Sequence, residues 1–369
     1  AAEAYTRVNG KIGVSVVTAG PGSTNTLTGV AGSWMDSVPS LFFSGQAFVQ
    51  HTIRKTGLRQ LGIQEINIID IVRPITKFAV MIEDPNKVKY YLQKAMYLAR
   101  TGRPGPVWLD VPGDVQNAQI DPDNLPEFNP AEAPPGPSHN DLQEKVREIV
   151  QKLKASRRPI LHVGQGVKIA GAAGEFLKLA EKYRIPFLSA RNANDIADTG
   201  HELYAGRPGT FAQRGANFAV QNADFYLAIG TRLSLAQTGY NAKDYARNAF
   251  RILVDIDTSE LEKDTLDIHF KVHADARAFL SELSKQLGEY RPETREWVKQ
   301  CQTWKQKYPV VLPEYEHIKK YVNSYWFVHL LSDMLTPKDV VVTDMGIAFQ
   351  GTHQAFRVKA GQKFFTNCG

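Results

Sequence analysis

Apolar and polar positions alternate along the chain in blocks that predict strands and helices in turn. Between residues 11 and 45, an apolar run, a glycine turn, an amphipathic stretch and a second apolar run follow one another. An amphipathic stretch at 85–101 then precedes the apolar run at 106–112. Near-continuous apolar strands separated by helices are typical of a parallel sheet covered on both faces. The first part of the chain is therefore predicted to be an α/β domain.

The segment 122–137 interrupts this pattern, since it holds six of the twenty prolines. Proline fixes φ and removes a backbone donor, so the segment cannot continue a helix or a central strand. Beyond it the alternation resumes, with helices predicted at 140–155 and 171–183. Further strands are predicted at 159–164, 185–190, 223–230, 251–257 and 270–275, and a glycine-rich loop at 205–216. This alternation predicts a second α/β domain.

The predicted fold class is α/β, with successive doubly wound parallel-sheet domains. The charged segment that follows the second domain predicts helices, and apolar runs at 339–346 and 362–367 predict the first strands of a third unit. The predicted ranges are a first domain at 1–121, a proline-rich linker at 122–139, a central domain at 140–287, a helical connector at 288–325 and the start of a third domain at 326–369. The chain starts inside a helical pattern without a methionine and stops directly after a strand pattern, so we expect a fragment that lacks both ends.

The amino-acid composition argues against several classes of function. The net charge is only +6 and no long basic block occurs, which argues against nucleic-acid binding. Two cysteines, Cys301 and Cys368, allow neither a disulfide framework nor a multi-thiolate zinc site, and they favour the reducing cytoplasm. Because no apolar run reaches the roughly 18 residues that a membrane span needs, we expect no membrane association.

The turn AGPGSTN at 19–25 is the first candidate for chemistry. It follows a predicted strand and opens a helix, where two glycines allow close backbone approach and free N–H groups suit an anion or a cofactor. An equally good interpretation is a tight strand-to-helix turn capped by Ser23 or Thr24.

Four further turns follow predicted strands of the second domain: VGQG at 163–166, AGRPGTFAQRG at 205–215, IGTR at 229–232 and DID at 255–257. Ligands of open α/β sheets bind at such strand ends, so together these turns outline a crevice of nucleotide size. Each alone is more often a buried turn. The nine histidines are scattered, and for His162 and His329 a packing role or a surface position is favoured over catalysis. The sequence contains no Walker loop, Ser/His/Asp elbow or HExxH helix.

The order of the pieces gives a more specific indication. AAEAYTRVNGKIGVSVVTAGPGSTN, RPITK and TGRPGPVWLDVPGDV resemble the pyrimidine-binding domain of thiamine-diphosphate enzymes of the acetolactate synthase group. PILHVGQG, GRPGTF, ADFYLAIGTR and ILVDID are similar to that group's central domain, and VVTDMG and FFTNCG to the opening of its diphosphate-binding domain.

The resemblance implies cofactor-binding roles in thiamine diphosphate recognition. The residues concerned are Gly20, Pro21, Gly22 and Asn25 around the pyrimidine, Gln64 approaching across a subunit interface, and Gly346 at the diphosphate. It places the glutamate that activates the cofactor ahead of Ala1, so no catalytic residue is assigned within the chain. The Mg²⁺ ligands are expected beyond Gly369, since no GDG motif occurs, and we expect the fragment to be inactive on its own.

The resemblance also raises the possibility of FAD in the central domain. The matching positions are Arg103, Gly166, Arg191, Gly206, Gly230, Arg232, Asp255 and Asp275. Two departures concern the substrate: Ser234, Leu235 and Ala236 stand where the group commonly has Asp-Asp-Arg, and Gly113 stands where it has lysine. The loss of these cations argues for an uncharged acceptor, or for a lyase that needs none.

The resemblance therefore implies a carboligase, a homodimer or homotetramer in the cytoplasm, that decarboxylates pyruvate or a related 2-keto acid and transfers the acyl carbanion to a second carbonyl. A 2-keto acid decarboxylase or lyase on the same cofactor is the first alternative. The second is a flavin- or nucleotide-binding module without thiamine chemistry.

Overall fold

The computed structural model describes residues 1–53, 56–137 and 141–367, except for the side chain of Ile347. The chain divides into two compact units, one containing Ala1–Gly136 and the other Pro137–Thr366. The strand pairs of the described residues are parallel in each of three sheets, which confirms the predicted α/β class. The predicted ranges of the individual domains stay a prediction.

The first unit is built on a four-stranded parallel sheet of order β1-β2-β4-β3. Its strands are β1 (Gly13–Val17), β2 (Ser40–Gln46), β3 (Phe78–Met81) and β4 (Pro106–Pro112). Its helices are α1 (Ala2–Asn9), α2 (Pro21–Thr24), α3 (Leu27–Met35), α4 (Ile68–Val72), α5 (Val88–Arg100) and α6 (Gly113–Gln116). The central strands β2 and β4 are almost wholly buried, as their continuous apolar runs predict.

The prediction that both faces of this sheet are covered is wrong for β1. Val14 and Val16 are 52% and 77% exposed, although they belong to a near-continuous apolar run. The reason is position, since β1 is an edge strand and only its other face packs inward.

A buried carboxylate lies in the core of this unit. Trp108 is fully buried, stacks on Phe42 with ring centroids 5.4 Å apart, and donates from Nε1 to Ser44 Oγ at 2.8 Å. Ser44 Oγ donates in turn to Asp110 Oδ1 at 2.5 Å, and Gln46 Nε2 donates to Asp110 Oδ2 at 2.9 Å. Burial raises the pKa of Asp110 to about 6, although both hydrogen bonds oppose the shift.

The second unit is built on a six-stranded parallel sheet of order β10-β9-β8-β5-β6-β7. Its strands are β5 (Pro159–Val163), β6 (Phe187–Ser189), β7 (Tyr204–Gly206), β8 (Phe225–Ile229), β9 (Phe250–Asp255) and β10 (Phe270–His273). The helices along it are α7 (Leu142–Ala155), α8 (Gln165–Ile169), α9 (Ala173–Lys182), α10 (Arg214–Asn222), α11 (Leu235–Thr238), α12 (Thr258–Glu262) and α13 (Ala276–Leu287). Two apolar clusters cover the two faces, one with α7, α9 and α13 and the other with α10.

The remaining elements of this unit begin with α14 (Arg295–Lys307), which packs on α10 through Trp297 and Cys301. They continue with α15 (Ser324–Met334), β11 (Val340–Thr343), α16 (Ile347–Ala355) and β12 (Lys363–Thr366). β11 and β12 pair in parallel, with Phe364 and Phe356 in a small core of their own. Among the described residues, every helix is too short or too polar to cross a lipid bilayer.

The sequence predicts a loop over 205–216, but this stretch includes the end of a strand and the start of a helix. Tyr204–Gly206 forms the edge strand β7 and α10 begins at Arg214. A three-residue strand carries too few residues for a periodic signal, so only pairing with β6 reveals it.

Two loops touch where the order of the second sheet reverses. β5 lies between β6 and β8, and the loops after β5 and β8 meet there. Gly166 N donates to Gly230 O at 2.9 Å, and Gly230 has a φ of +58°. A Cβ at Gly230 would lie 2.8 Å from Gly166 Cα and 2.9 Å from Val167 N. The packing of the two backbones therefore requires glycine at this position.

We expect the stability of the first unit to fall as the pH rises from about 4 to about 6. The folded-state pKa of Asp110 is raised from 3.8 to about 6, so the folded form binds its proton more tightly than the unfolded chain does. Its contribution is complete below pH 3.8, decreases as the pH rises and is lost above pH 6, with a limit of roughly 3 kcal/mol. Urea unfolding followed by tryptophan fluorescence at several pH values measures it.

The control is the exposed Asp123. Asp110→Asn should remove the dependence of the free energy of unfolding on pH in this range, whatever its effect on absolute stability. Asp123→Asn should leave that dependence unchanged. Identical slopes for Asp110→Asn and the unmodified protein would contradict the assignment.

Gly230→Ala should destabilise the second unit by about 2–4 kcal/mol, because a left-handed backbone and a clash with neighbouring backbone act together. Gly361→Ala is the matched control, since Gly361 has a φ of +80° but nothing within 4 Å of an added Cβ. We expect it to cost only about 1 kcal/mol. Equal losses in a chemical denaturation series would argue against the packing explanation.

Candidate cofactor site

The turn after β1 joins two of the predicted site residues. Gly20 is the N-cap of α2 with a φ of +63°, and a Cβ there would lie 2.5 Å from Gln64 O. The chain thus packs the Gln64 backbone against its own Gly20 turn. Pro21 and Asn25 are exposed beside it, and the Gln64 side chain is also exposed. This arrangement presents two side-chain amides at the carboxyl end of a parallel strand.

The capping interpretation of this turn is wrong in its detail. No side chain caps α2. Ser23 Oγ instead donates to Thr18 O at 2.9 Å, and a Cβ at Gly22 would lie 2.7 Å from Thr18 Cγ2. The Ser23 hydroxyl therefore bonds to the chain that precedes the turn. The first N–H groups of α2 have no side-chain acceptor.

Glu65 organises the loop that carries Gln64, and sequence reasoning missed it. Its side chain is 5% exposed; Oε2 accepts from Leu61 N at 2.8 Å and Gly62 N at 3.0 Å, and Oε1 accepts from Ile53 N. A carboxylate that accepts several backbone N–H groups fixes a loop firmly. The signal was the GIQE segment itself, in which only the glutamine was singled out.

Gly346 occupies the corresponding place in the small third sheet. It has a φ of +84°, is exposed and is the N-cap of α16, which begins three residues after β11. Nothing lies within 4 Å of an added Cβ, so the approach to this helix terminus is open. The predicted contact of its backbone with a diphosphate stays a prediction.

The residues matched to flavin contacts fall mostly at one edge of the six-stranded sheet. Seven of them lie at or within three residues of the carboxyl end of a strand: Gly166, Arg191, Gly206, Gly230, Arg232, Asp255 and Asp275. Arg103 belongs to the first unit, where its Nε donates to Ser37 Oγ at 2.9 Å. Parallel strands place all their carboxyl ends at the same edge, which is why the sequence could anticipate this gathering.

Several of these residues make hydrogen bonds or ion pairs within the protein. Arg232 Nε donates to Glu260 Oε1 at 2.9 Å, and Asp255 Oδ1 accepts from Asp257 N at 3.0 Å. Asp275 caps α13 by accepting from two backbone N–H groups. The Arg191 guanidinium lies 4.9 Å from the centre of the Phe349 ring. Helix capping and ion pairing thus account for part of the pattern that resembles a flavin site.

A buried polar chain lies beneath this edge. His162 Nδ1 contacts the Tyr226 hydroxyl, which is 2.8 Å from the Tyr245 hydroxyl, and His162 Nε2 is 3.4 Å from Gln237 Nε2. Burial lowers the pKa of His162 to about 3, so the ring is neutral at pH 7. His162 is fully buried, in agreement with the packing role favoured for it.

Arg207, next to Gly206 in the GRPGTF segment, is a second residue that sequence reasoning missed. It is fully buried, and its Nη1 donates to His353 O at 2.7 Å and to Phe356 O at 3.0 Å. Its Nε donates to the Tyr204 hydroxyl at 3.3 Å. Arg207 therefore ties the end of β7 to the end of α16. The sequence carried no signal for it, since charged residues in glycine-rich turns are usually exposed.

The structure shows what surrounds the positions where the resembled group commonly has charged residues. A Cβ at Gly113 would lie 2.9 Å from Phe48 Cε1, so the Phe48 ring occupies the space beside it. Ser234 is the N-cap of α11, and Leu235 is 47% exposed. Within the described ranges, no group of three or more His, Cys, Asp and Glu side chains could hold a metal ion.

Comparison with protein families agrees with this geometry. Residues 1–71 match the model "Thiamine pyrophosphate enzyme, N-terminal TPP binding domain", which contains the Gly20 turn and Gln64. Residues 146–283 match "Thiamine pyrophosphate enzyme, central domain", which contains the six-stranded sheet. Thiamine pyrophosphate is another name for thiamine diphosphate.

Curated relatives match across most of the chain. An acetolactate synthase large subunit of Lactococcus lactis subsp. lactis is 32% identical over 373 residues, covering 100% of this chain and 62% of the relative. An acetolactate synthase of Arthrospira platensis is 36% identical over 72% of this chain and 45% of the relative. A large subunit from Corynebacterium glutamicum is 34% identical over 84% and 48% respectively. The chain spans about half to three fifths of the length of these relatives. It belongs to the thiamine pyrophosphate enzymes, whose N-terminal and central domains it contains, and is similar to the large subunits of acetolactate synthase.

Proposed function

We propose that the complete protein is a thiamine-diphosphate-dependent carboligase of acetolactate synthase type. It would decarboxylate pyruvate or a related 2-keto acid and transfer the acyl group to a second carbonyl. The observation that carries this proposal is the pairing of the Gly20 turn with Gln64 inside the matched N-terminal domain. A rigid turn with two exposed amides beside it suits a polar heteroaromatic ring.

The fit of the chain to the cofactor rests on its own residues. Gly20, Pro21, Gly22 and Asn25 would hold the pyrimidine, with Gln64 beside them, and Gly346 would face the diphosphate through backbone N–H groups. When bound, thiamine diphosphate supplies the carbon nucleophile of the reaction. Glu65 acts indirectly, since it fixes the loop on which Gln64 stands.

A magnesium ion is the usual companion of a diphosphate. The described residues contain no group of three or more His, Cys, Asp and Glu side chains that could hold a metal ion. The metal ligands and the acid that activates the cofactor belong, in this proposal, to sequence outside the 369 residues.

We further propose that the acceptor is uncharged. Gly113 carries no side chain and faces the Phe48 ring, and Ser234, Leu235 and Ala236 contribute no cation. A second 2-keto acid would bring a carboxylate that needs a charged partner. An aldehyde or a keto sugar would not, which supports this choice.

Binding of FAD is a second part of the proposal, and it does not depend on the residues assigned to thiamine diphosphate. Its support is the gathering of seven matched residues at one edge of the six-stranded sheet, around the point where the strand order reverses. The backbones of Gly166 and Gly230 already touch, so no ligand can be inserted between them. Assembly as a homodimer or homotetramer, in the cytoplasm, completes the proposal and follows from the similarity to the group.

Activity of the complete gene product tests the main proposal. With pyruvate, thiamine diphosphate and Mg²⁺, we expect a ligated product, formed faster when an aldehyde is added. Thiamine diphosphate should also raise the melting temperature, because a ligand that binds the folded state stabilises it. Free acetaldehyde as the sole product would favour the decarboxylase alternative. Visible flavin absorbance without any effect of thiamine diphosphate would favour the module without thiamine chemistry.

Gln64→Ala in the complete protein should weaken thiamine diphosphate binding about fivefold, because one exposed amide contact is worth on the order of 1 kcal/mol. The cofactor concentration that gives half-maximal activity measures this change. Ile63→Ala is the matched control, since Ile63 is the adjacent residue and is 92% exposed. If Gln64→Ala binds the cofactor as tightly as Ile63→Ala, Gln64 has no binding role.

A further inference from the structure

A cavity of about 220 Å³ lies in the second unit. None of the residues matched individually to thiamine diphosphate or flavin lines it, although Ala205, Gln213 and Gly215 belong to the turn at 205–215. The cavity is partly open to solvent and is bordered by β7, the first turn of α10, the end of α14 with the segment that follows it, and residues of α15 and α16. An apolar cavity of roughly 150 Å³ is enough to hold benzene. This cavity therefore has room for a molecule somewhat larger than one aromatic ring.

Lys305, at the end of α14, supplies a charge at the wall of this cavity. Its Nζ donates to Thr199 O at 2.6 Å and to Tyr204 O at 3.2 Å. Thr199 itself lines the cavity, so the ammonium group is held beside it. An ammonium group has three N–H donors, and two are used here, which leaves one for a ligand.

The surroundings of Lys305 are short of negative charge. The fully buried Arg207 lies nearby and bonds to neutral oxygens, and among the described residues neither side chain has a carboxylate within 4.0 Å of its charged nitrogens. Burial, with a smaller contribution from the charge of Arg207, lowers the pKa of Lys305 to about 8, although Asp198 opposes the shift. An anion in the cavity would offset this excess of positive charge.

Other charged groups face the cavity from the remaining elements. His329 of α15 and Arg357, after α16, line it, and Arg357 is paired with Asp333. Tyr308 also lines it, with the Arg214 guanidinium 4.7 Å from the ring centre. Neither aspartate nor glutamate occurs among the lining residues, all of which belong to the described part of the chain.

Most of the remaining wall is apolar, with Thr199, Gln213 and Gln354 as further polar residues. It is formed in large part by Ala205, Ala216, Pro309, Val310, Val311 and Phe356. A strongly hydrated inorganic anion would lose its water here without replacement, whereas an organic anion would bury an apolar body. The lining therefore selects a molecule with one charged end and a compact hydrophobic remainder.

We propose that this cavity is a binding site for a small organic monocarboxylate of about the size of benzoate. The carboxylate accepts a hydrogen bond from Lys305 Nζ, and the hydrophobic body packs against Val310, Val311 and Phe356. The site is separate from the residues assigned to thiamine diphosphate, and the inference does not rest on the proposed function.

Calorimetric titration of the 369-residue chain with benzoate and with benzyl alcohol, its neutral analogue, tests the proposal. We expect a benzoate Kd on the order of 1 mM at pH 7 and at least tenfold weaker binding of benzyl alcohol. Lys305→Met, which keeps the length of the side chain, should weaken benzoate binding at least tenfold. Lys299→Met, which removes an exposed lysine from the same helix, should leave it unchanged. Val310→Trp should abolish binding of both probes by filling the cavity.

The pH dependence of the unmodified chain provides a test that needs no variant. Benzoate affinity should fall as the pH rises through about 8, because the ammonium of Lys305 loses its proton. Benzyl alcohol should show no such change. The proposal is overturned if benzoate does not bind up to about 20 mM, roughly twenty times the expected Kd. It is equally overturned if its affinity is independent of pH to 9.5 or so, or if folded Lys305→Met or Val310→Trp binds it normally.

Discussion

The direction of the strands is the constraint on which the candidate site depends. Every strand of a parallel sheet points the same way, so each following turn emerges at one edge. In the six-stranded sheet this places residues from six different turns at one edge, although the first and the last of them, Gly166 and Asp275, are more than a hundred positions apart in sequence. Where the strand order reverses, Gly166 and Gly230 touch backbone to backbone, and the two halves of the sheet are joined there.

Polar groups are buried in both units, and each has a different environment. Asp110 receives two side-chain hydrogen bonds and still resists ionisation, because the loss of water outweighs them. The buried guanidinium of Arg207 donates to two backbone carbonyls, those of His353 and Phe356. His162 remains neutral and joins a chain of hydroxyl groups. These groups fix the register of loops that apolar packing alone would leave undetermined.

Membership of the thiamine pyrophosphate enzymes leaves room for a distinct substrate. The turn beside Gln64 has the rigidity that a cofactor pocket requires, while the positions that would meet a charged acceptor carry small or apolar residues. In the proposed function, the residues assigned to the cofactor and those assigned to the acceptor lie in different parts of the chain. Surface loops can vary in sequence more readily than the elements they connect, so one set could change without the other.

The sequence by itself determined the α/β class, most strands and the glycine turns, because long apolar runs and glycine-containing turns are local features with a local physical cause. It missed β7 and the start of α10, since a three-residue strand exists only through its pairing with β6. It also missed the outward exposure of Val16, which follows from the edge position of β1.

Only the tertiary structure decided which polar residues are buried. Glu65 and Arg207 belong to residue types that are normally exposed, yet both are buried, and Lys305 is half-buried. Their burial is stabilised by backbone N–H and carbonyl groups contributed from other segments, up to 149 positions away in the case of Arg207. Such partners are brought together by folding, so their presence cannot be deduced from a local pattern of residues.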